Sequence, residues 1–253
     1  MGGDKDRFLA SAGRSNRRGK KSEIFAREIV RRIGEAGFTE GAMLPNEQEM
    51  IEAFGVGRPT LREALRLLES RGVVEIRSGR YGGPVVRKPT AADLGHTLTL
   101  MLHLDGATVK DVFDARLAIE PLIIKEAAAN GAADLLGELE GAIAETRSAS
   151  SDEVARTGSI RFHVLAAQMC PNPVLLLVQD TLRSICDTAF EGVGYPGELR
   201  ERDAIEHEAI LQALRSRNPE KAERAARRHL ERASGYWAVN YPTLLGRAVD
   251  WSA

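Results

Sequence analysis

Three histidines in the second half of the chain, His163, His207 and His229, have types and spacings that could hold a metal ion. Each lies three, four or seven residues from small or aliphatic side chains, which puts it on the apolar face of its own predicted helix. A single inward histidine is most often a satisfied core residue. Three converging neutral imidazoles, however, are good ligands for zinc and similar divalent ions. The spacing leaves both interpretations open.

Arg116 is the second inward-facing candidate. It shares a predicted helical face with Val109, Val112, Ile119 and Ile123. A buried guanidinium needs a partner. Glu120, one turn later, could supply it internally, whereas a bound carboxylate could accept two parallel hydrogen bonds from the same group. From the residues alone, both partners remain possible.

A third group of residues suits nucleic acid. Arg58, Thr60 and Arg62 occupy the first turns of a predicted helix, off the apolar stripe that holds it in place. The planar arginine head group can bond two guanine acceptors or clamp a phosphate. Arg80, in a glycine-rich turn with Gly79, could enter a minor groove or contact the DNA backbone. The alternative is a solvated basic helix beside a surface loop.

The first ninety residues contain the elements that would position these arginines. Apolar residues recurring every four positions predict a helix that Ser22 caps and Gly37 ends. Asn46 and Glu49 form a capping box that opens a second helix, and the third helix begins near Arg58. Two short strands, at 73–77 and 84–87, enclose the turn. We interpret residues 22–88 as a winged helix-turn-helix and residues 1–21 as a disordered basic arm.

The histidines and Arg116 fall in a region that is helical throughout. Breaks at glycine, proline and asparagine divide it into seven predicted helices: 91–104, 108–129, 132–148, 152–169, 172–190, 198–216 and 219–239. Short connections between helices favour an antiparallel all-α bundle, which we assign to residues 89–240, with a tail at 241–253. The protein is therefore predicted to be mainly α.

Charge and composition narrow the function classes. The net charge is −1, but residues 1–90 are net basic and residues 91–253 net acidic, as expected if only the first half binds a polyanion. The absence of a long apolar run argues against a membrane span. The basic N-terminus lacks the apolar core of a secretion signal, and Cys170 and Cys186 suit a reducing compartment. We expect a cytoplasmic protein.

The segments LPNE (44–47), FGVGRPTLREAL (54–65) and LESRGVV (68–74) resemble the DNA-binding domain of the GntR family. The resemblance implies that Arg58 and Arg62 contact an operator and that Gly79 and Arg80 form the wing tip. Two positions depart from the family pattern. Gln48 stands where an arginine is common, and Gly57 replaces a capping serine or threonine. Both departures concern the operator sequence rather than the fold.

The segments FDARLAIEP (113–121), FH (162–163), EH (206–207) and RHL (228–230) resemble the helical FCD ligand domain of FadR-type members of that family, in its seven-helix form. The resemblance implies a divalent metal (zinc, nickel or manganese) on His163, His207 and His229, and a small organic acid effector near Arg116. The family's aspartate ligand is Ser159 here, and a hydroxyl ligates weakly. Asp203, one turn before His207, is a speculative substitute.

The resemblance implies a homodimer that binds a near-palindromic double-stranded DNA operator and responds to its effector. Two other classes are possible from the residues. A three-histidine metal site with an open position could activate water in an enzyme, but the chain lacks the His-Glu-x-x-His spacing that would supply a general base. A basic protein without sequence preference would bind operator and random DNA equally. We favour the regulator and expect no enzymatic activity.

Overall fold

The computed structural model describes residues 2–10, 20–79, 82–130 and 134–251. The chain divides into two compact units, Met1–Asp93 and Leu94–Ala253. The division falls slightly beyond the boundary at residue 88 that the sequence suggested. Among the described residues, none of the helices combines the length and apolarity needed to cross a membrane.

The first unit is a winged helix-turn-helix with one additional helix at its N-terminus. Its elements are α1 (Gly2–Ala10), α2 (Lys21–Ala36), α3 (Glu47–Phe54), α4 (Arg58–Glu69), β1 (Val74–Arg77) and β2 (Gly83–Val86). The strands form an antiparallel hairpin in which Val74 lies opposite Val86 and Arg77 opposite Gly83. The fold class predicted from the sequence is confirmed for this unit.

Local signals in the sequence place the ends of α3 and α4. The Asn46 side chain accepts from the backbone N–H of Glu49 at 3.0 Å, and the Glu49 carboxylate accepts from the backbone N–H of Asn46 at 2.8 Å, as the capping box predicted. Pro59 lies in the first turn of α4, where its missing N–H has no helical partner. The buried face of α4 comprises Leu61, Ala64, Leu65 and Leu68.

The predicted start of α2 was wrong by a short distance. Lys20, in extended conformation, is the residue that precedes the helix. Ser22 is buried inside the first turn and does not cap it. Gly37 ends the helix in the left-handed region with φ 75°, as predicted, because glycine adopts that conformation without steric cost.

Helix α1 corrects the prediction of a disordered arm for residues 2–10. Phe8 is fully buried, with its ring 5.7 Å from those of Phe38 and Phe54 in edge-to-face contact. The buried Arg32 donates from Nη1 to the carbonyl oxygen of Phe8 at 2.7 Å, and its guanidinium lies 4.0 Å from the centre of the Phe54 ring. Phe8 therefore holds α1 against the rest of the unit, although the apolar residues of this short helix show little periodicity. Residues 11–19 lie outside the described part.

The second unit is an all-α bundle. Its helices are α5 (Ala91–Leu104), α6 (Val109–Asn130), α7 (Leu136–Ser148), α8 (Asp152–Gln168), α9 (Pro173–Ala189), α10 (Gly197–Arg215), α11 (Pro219–Asn240) and α12 (Pro242–Leu245). The first seven match the predicted segments to within a few residues. Helix α6 packs against α8, α9, α10 and α11, so its inward side chains face the centre of the bundle.

The end of the chain is packed rather than a free tail, which corrects the assignment of residues 241–253. Leu244, Leu245 and Val249 are buried beside the start of α6. The backbone N–H of Val109 donates to the carbonyl of Arg247 at 2.9 Å, and that of Val249 donates to the carbonyl of Ala107 at 2.8 Å. Sequence analysis did not predict this packing, because three apolar residues are too few to give a helical pattern. Residues 252 and 253 lie outside the described part.

Candidate functional site

The three predicted histidines meet inside the helical unit. His163 comes from α8, His207 from α10 and His229 from α11. Their Nε2 atoms form a triangle with every edge 3.3 Å. Zinc–nitrogen bonds of about 2.0–2.1 Å at tetrahedral angles would separate ligand nitrogens by about 3.3–3.4 Å. The triangle therefore has the dimensions of one face of a tetrahedral metal site.

Carboxylates hold the other ring nitrogen of two histidines. Nδ1 of His163 contacts the Glu120 carboxylate from α6, and Nδ1 of His229 lies 2.8 Å from Oε2 of Glu206. Because a carboxylate accepts hydrogen bonds, it favours the tautomer with the proton on Nδ1 and leaves the Nε2 lone pair facing the centre of the triangle. This tautomer is the one that can ligate a metal.

Both glutamates favour the ionised form. Burial opposes ionisation of Glu120, but His163 and Arg116 outweigh it and hold the pKa of this carboxyl well below its usual range. Burial also opposes ionisation of Glu206, and its hydrogen bonds to His229 and Arg232 outweigh that effect and lower its pKa. Nη1 of Arg232 lies 2.6 Å from Oε1 of Glu206. The negative charge needed to polarise two of the imidazoles is therefore present.

His207 is held by packing instead. Its side chain is fully buried and stacks on the Phe162 ring with 4.0 Å between centroids. Burial and the two neighbouring histidines lower its pKa well below the usual value, so the neutral imidazole is favoured. Among the described residues its Nδ1 atom has no hydrogen-bond partner. Two imidazoles of the triangle are therefore supported by anions, and the third is not.

A cavity of about 100 Å³ opens beside the histidines. His163 and His229 form part of its wall, together with three arginines, Arg116, Arg156 and Arg183. The aromatic side chains in the wall are those of Phe113, Phe190, Tyr195 and Trp237. Asp187 and Asp203 also line the cavity, and burial raises the pKa of both carboxyls, which favours their neutral form. With its three arginines, apolar surface and converging nitrogen cluster, the cavity suits a small anionic ligand.

Arg116 has the internal partner that the sequence left open. Its Nη2 atom lies 3.1 Å from Oε2 of Glu120, and both side chains are buried. The same carboxylate oxygen accepts from Nε2 of Gln179 at 2.7 Å. The Arg116 Nε atom is buried without a hydrogen-bond partner in the described part of the chain. The arginine thus lines the cavity while Glu120 connects it to His163.

Ser159 and Asp203 occupy different places around the cluster. Ser159 is buried one turn before His163 on α8 and lines the cavity. Asp203 falls in a second group of potential ligand atoms, with Glu206 and His229, within the described residues. The Asp203 carboxylate accepts a hydrogen bond from the Tyr195 hydroxyl, and burial raises the pKa of Asp203. Asp203 therefore borders the triangle formed by the histidines rather than completing it.

The predicted DNA-contact residues lie at the start of α4. Arg58 and Arg62 are exposed and Thr60 is partly exposed. Nε of Arg62 lies 3.0 Å from Oε2 of Glu47, and Nη2 of Arg58 donates to Oε1 of Gln48 at 3.4 Å. Both contacts join the first two turns of α4 to the first turn of α3, so the two arginines are presented together on one surface.

The start of α4 and Gly79, where the hairpin turn begins, are both open to solvent. Gly57 precedes α4 without a capping side chain, which leaves first-turn N–H groups able to meet a phosphate. Gly79 is exposed with φ 109°, a backbone conformation that favours glycine. Arg80, predicted beside it at the wing tip, lies outside the described residues.

Sequence reasoning missed several polar residues around the histidines. Glu206, Gln179 and Tyr195 were not singled out, and Glu120 was considered only as a partner for Arg116. Glu206 precedes His207 in sequence yet contacts His229 on a neighbouring helix. Helical periodicity predicts the face on which a side chain lies but not its partner across the bundle, so no local signal identifies these contacts.

Comparison with known proteins accounts for both units. Residues 21–81 match the bacterial regulatory proteins of the gntR family, and residues 111–232 match the FCD domain. The HTH-type transcriptional repressor NanR of Salmonella newport (strain SL254) is 31% identical over 242 residues, covering 90% of this chain and 91% of that protein. NanR of Salmonella typhi is likewise 31% identical over 242 residues, covering 90% of each chain.

A solved structure agrees with these matches. Streptococcus agalactiae GntR aligns with a TM-score of 0.65 at 26% identity, covering 85% of this chain and 99% of that one. A winged helix-turn-helix followed by an FCD bundle binds DNA through the first unit and a small-molecule effector through the second. The chain therefore belongs to the GntR family of bacterial transcriptional regulators, in the branch with an FCD domain, and is a ligand-responsive DNA-binding regulator.

Proposed function

We propose that this protein is a dimeric repressor that binds a near-palindromic operator and responds to a small organic acid bound beside a metal ion in its helical unit. The observation that carries the proposal is the triangle of Nε2 atoms from His163, His207 and His229, with edges of 3.3 Å. Its dimensions suit zinc, and nickel or manganese are alternatives that imidazole ligands also accept.

The effector class follows from the charge around the cavity. A bound metal ion would supply a positive centre that a carboxylate can ligate. Arg116, on the cavity wall, offers a guanidinium that can bond the same or a second carboxylate. Only the Nη2 atom of Arg116 bonds Glu120, and its Nε atom has no hydrogen-bond partner within the described residues. We therefore assign Arg116 a shared role: it keeps its contact with Glu120 and offers a further N–H group to the effector.

On the DNA side, we assign base or phosphate contacts to Arg58, Thr60 and Arg62, and backbone contacts to Gly79 and Arg80 in the wing. Two copies of α4 about one helical turn apart would read the two halves of a palindrome. The relatives named NanR are transcriptional repressors, which favours repression here. Such a protein acts on the chromosome, and we therefore propose a cytoplasmic location. We assign it no catalytic activity.

The proposal is tested in two steps on the full-length, tag-free protein. Metal content is measured by elemental mass spectrometry before and after chelation, with about one ion per chain expected before. Operators are then isolated from genomic fragments, and their release is followed while small carboxylates are added with and without metal. His207→Ala should abolish the metal-dependent response while operator binding persists. His96→Ala, at an exposed histidine on α5, is the matched control.

Two results would contradict the proposal. A response to carboxylates that is unchanged in His207→Ala would assign the histidines a purely structural role. Equal affinity for operator and random DNA, with the same steep salt dependence, would indicate nonspecific binding.

A further inference from the structure

The contact between Arg62 and Glu47 uses only one side of the guanidinium. Nε of Arg62 lies 3.2 Å from Oε1 and 3.0 Å from Oε2 of Glu47, so this single N–H group is shared between both carboxylate oxygens. Within the described part of the chain, neither Nη atom of Arg62 makes a hydrogen bond. The outer edge of the guanidinium, formed by its two Nη groups, is therefore open to a ligand.

Both side chains project from backbone that is firmly held. Glu47 lies in the first turn of α3, directly after Asn46, whose capping box with Glu49 closes that turn. Arg62 follows Leu61, a fully buried residue of α4. A contact between two helices restricts the guanidinium to fewer orientations than a long exposed side chain otherwise adopts. The carboxylate therefore sets the direction in which the outer edge points.

The outer edge is the part of an arginine that recognises a base. Two of its N–H groups can donate in parallel to O6 and N7 of guanine in the major groove, a pattern that no other base offers. DNA docked against α4 would exclude water from the contact between Arg62 and Glu47, and their Coulomb attraction grows as the local dielectric constant falls. The arginine can thus keep its carboxylate partner while its outer edge contacts a guanine.

Arg58, one turn earlier on α4, is arranged differently. Its Nη2 atom, which belongs to the outer edge, donates to Oε1 of Gln48 at 3.4 Å. That contact occupies part of the edge that a guanine would need. Of the two arginines, Arg62 is therefore the one prepared for two parallel bonds to a base.

We propose that Glu47 is a positioning residue for sequence recognition, which holds Arg62 through Nε so that the two Nη groups read one guanine of an operator half-site. This inference rests on the DNA contacts of the proposed function and deepens them. Glu47 touches no base in this arrangement, and its negative charge repels the phosphates of any sequence. It therefore raises the preference for guanine at one position without strengthening DNA binding in general.

The test compares operator DNA with variants of single base pairs. Operators isolated from genomic fragments are changed one pair at a time, and the Kd of the full-length protein for each is measured by fluorescence anisotropy. The pair read by Arg62 is the G·C pair whose preference disappears in Arg62→Ala. At that pair we expect the parent protein to prefer G·C over A·T on the order of tenfold or more, and Glu47→Gln to prefer it about threefold or less. The Kd of Glu47→Gln for random DNA should be unchanged or lower.

Three further variants isolate the role of the Glu47 carboxylate. Glu52→Gln is the matched control, because Glu52 is an exposed acid on α3 that contacts Gln48 rather than Arg62, and it should keep the preference of the parent protein. Glu47→Gln combined with Arg62→Ala completes a double-mutant cycle and should have the base preferences of Arg62→Ala alone. Arg62→Lys keeps the charge but lacks the forked head group, so it should lose the preference for guanine. Thermal denaturation confirms that each variant is folded.

Three results would overturn the inference and leave operator binding intact. A preference for guanine in Glu47→Gln equal to that of the parent would show that the carboxylate does not position Arg62. A change in the base preferences of Arg62→Ala when Glu47→Gln is added would show that Glu47 contacts a base itself. An equal loss of affinity for every sequence in Arg62→Ala, with a salt dependence shallower by about one ion, would assign Arg62 to a phosphate. Equal affinity of the parent for operator and random DNA would instead remove the proposed function, and the inference with it.

Discussion

Arg62 in the DNA-binding unit pairs with Glu47 at 3.0 Å, with 57% and 34% of the two side chains exposed. Arg116 in the helical unit pairs with Glu120 at 3.1 Å, with 10% and 3% exposed. An exposed pair contributes little stability and exchanges partners easily. A buried pair leaves an uncompensated charge when either member is removed. The exposed pair is therefore suited to offer its arginine to DNA, and the buried pair is suited to stay together while a ligand binds beside it.

Removal of Glu120 should give the largest effect. Glu120→Ala leaves Arg116 and His163 without their shared carboxylate in a buried site, and we expect the free energy of unfolding to fall by about 3–5 kcal/mol. Urea denaturation of chelator-treated protein measures it. Glu47→Ala, the matched change in the exposed pair, should cost about 0–1 kcal/mol. Similar losses in both variants would remove the contrast between the two units.

The arginine of the exposed pair should matter for binding rather than stability. Arg62→Ala is expected to weaken operator binding by about 1–3 kcal/mol with an unchanged unfolding midpoint, measured by fluorescence anisotropy and thermal denaturation. Arg66→Ala serves as the control, because Arg66 is an exposed residue in the last turn of the same helix. If Arg62→Ala binds the operator as tightly as the parent, the arginine is not part of the recognition surface.

Within the helical unit, the Glu206 carboxylate should strengthen metal binding through His229. Glu206→Gln keeps the shape of the side chain but removes the charge that polarises His229, so metal affinity should fall about 10- to 100-fold. Competition with a chromophoric chelator provides the measurement. Arg232→Ala, which leaves the carboxylate in place, should have a smaller effect. An unaltered metal affinity in Glu206→Gln would show that the carboxylate does not support the imidazole.

His207 gives the smallest effect, a dependence of stability on pH. Its pKa in the folded protein is lowered by burial, so below the unfolded value of about 6.5 the unfolded chain binds a proton that the folded one does not. The contribution of neutral His207 to the free energy of unfolding of the metal-free protein is therefore complete above about pH 6.5. The free energy of unfolding should fall by about 1 kcal/mol between pH 7 and pH 5.5. His207→Leu should lose this contribution to the slope. Identical slopes in the two proteins would contradict it.

The sequence predicted the fold and the inward faces of the site well, because both depend on local periodicity. The capping box at Asn46 and the spacing of apolar residues around His163, His207 and His229 are examples. Contacts that depend on how helices assemble were out of reach. Glu206 on α10 contacts His229 on α11, and Tyr195, in the connection before α10, donates to Asp203. The periodicity of a single helix predicts neither contact.

Docking of α1 also has a consequence for the order in which the chain acquires its structure. Phe8 is synthesised early, but Phe38 and Phe54, which receive its ring, leave the ribosome only later. Until then the apolar side chain remains in water, and the guanidinium of Arg32 cannot reach the carbonyl of Phe8. Helix α1 is thus made before its partners and is fixed only after Phe54 has been made. A bulky fusion partner next to α1 would interfere with this docking step, and we expect it to reduce the yield of folded protein before it affects operator binding.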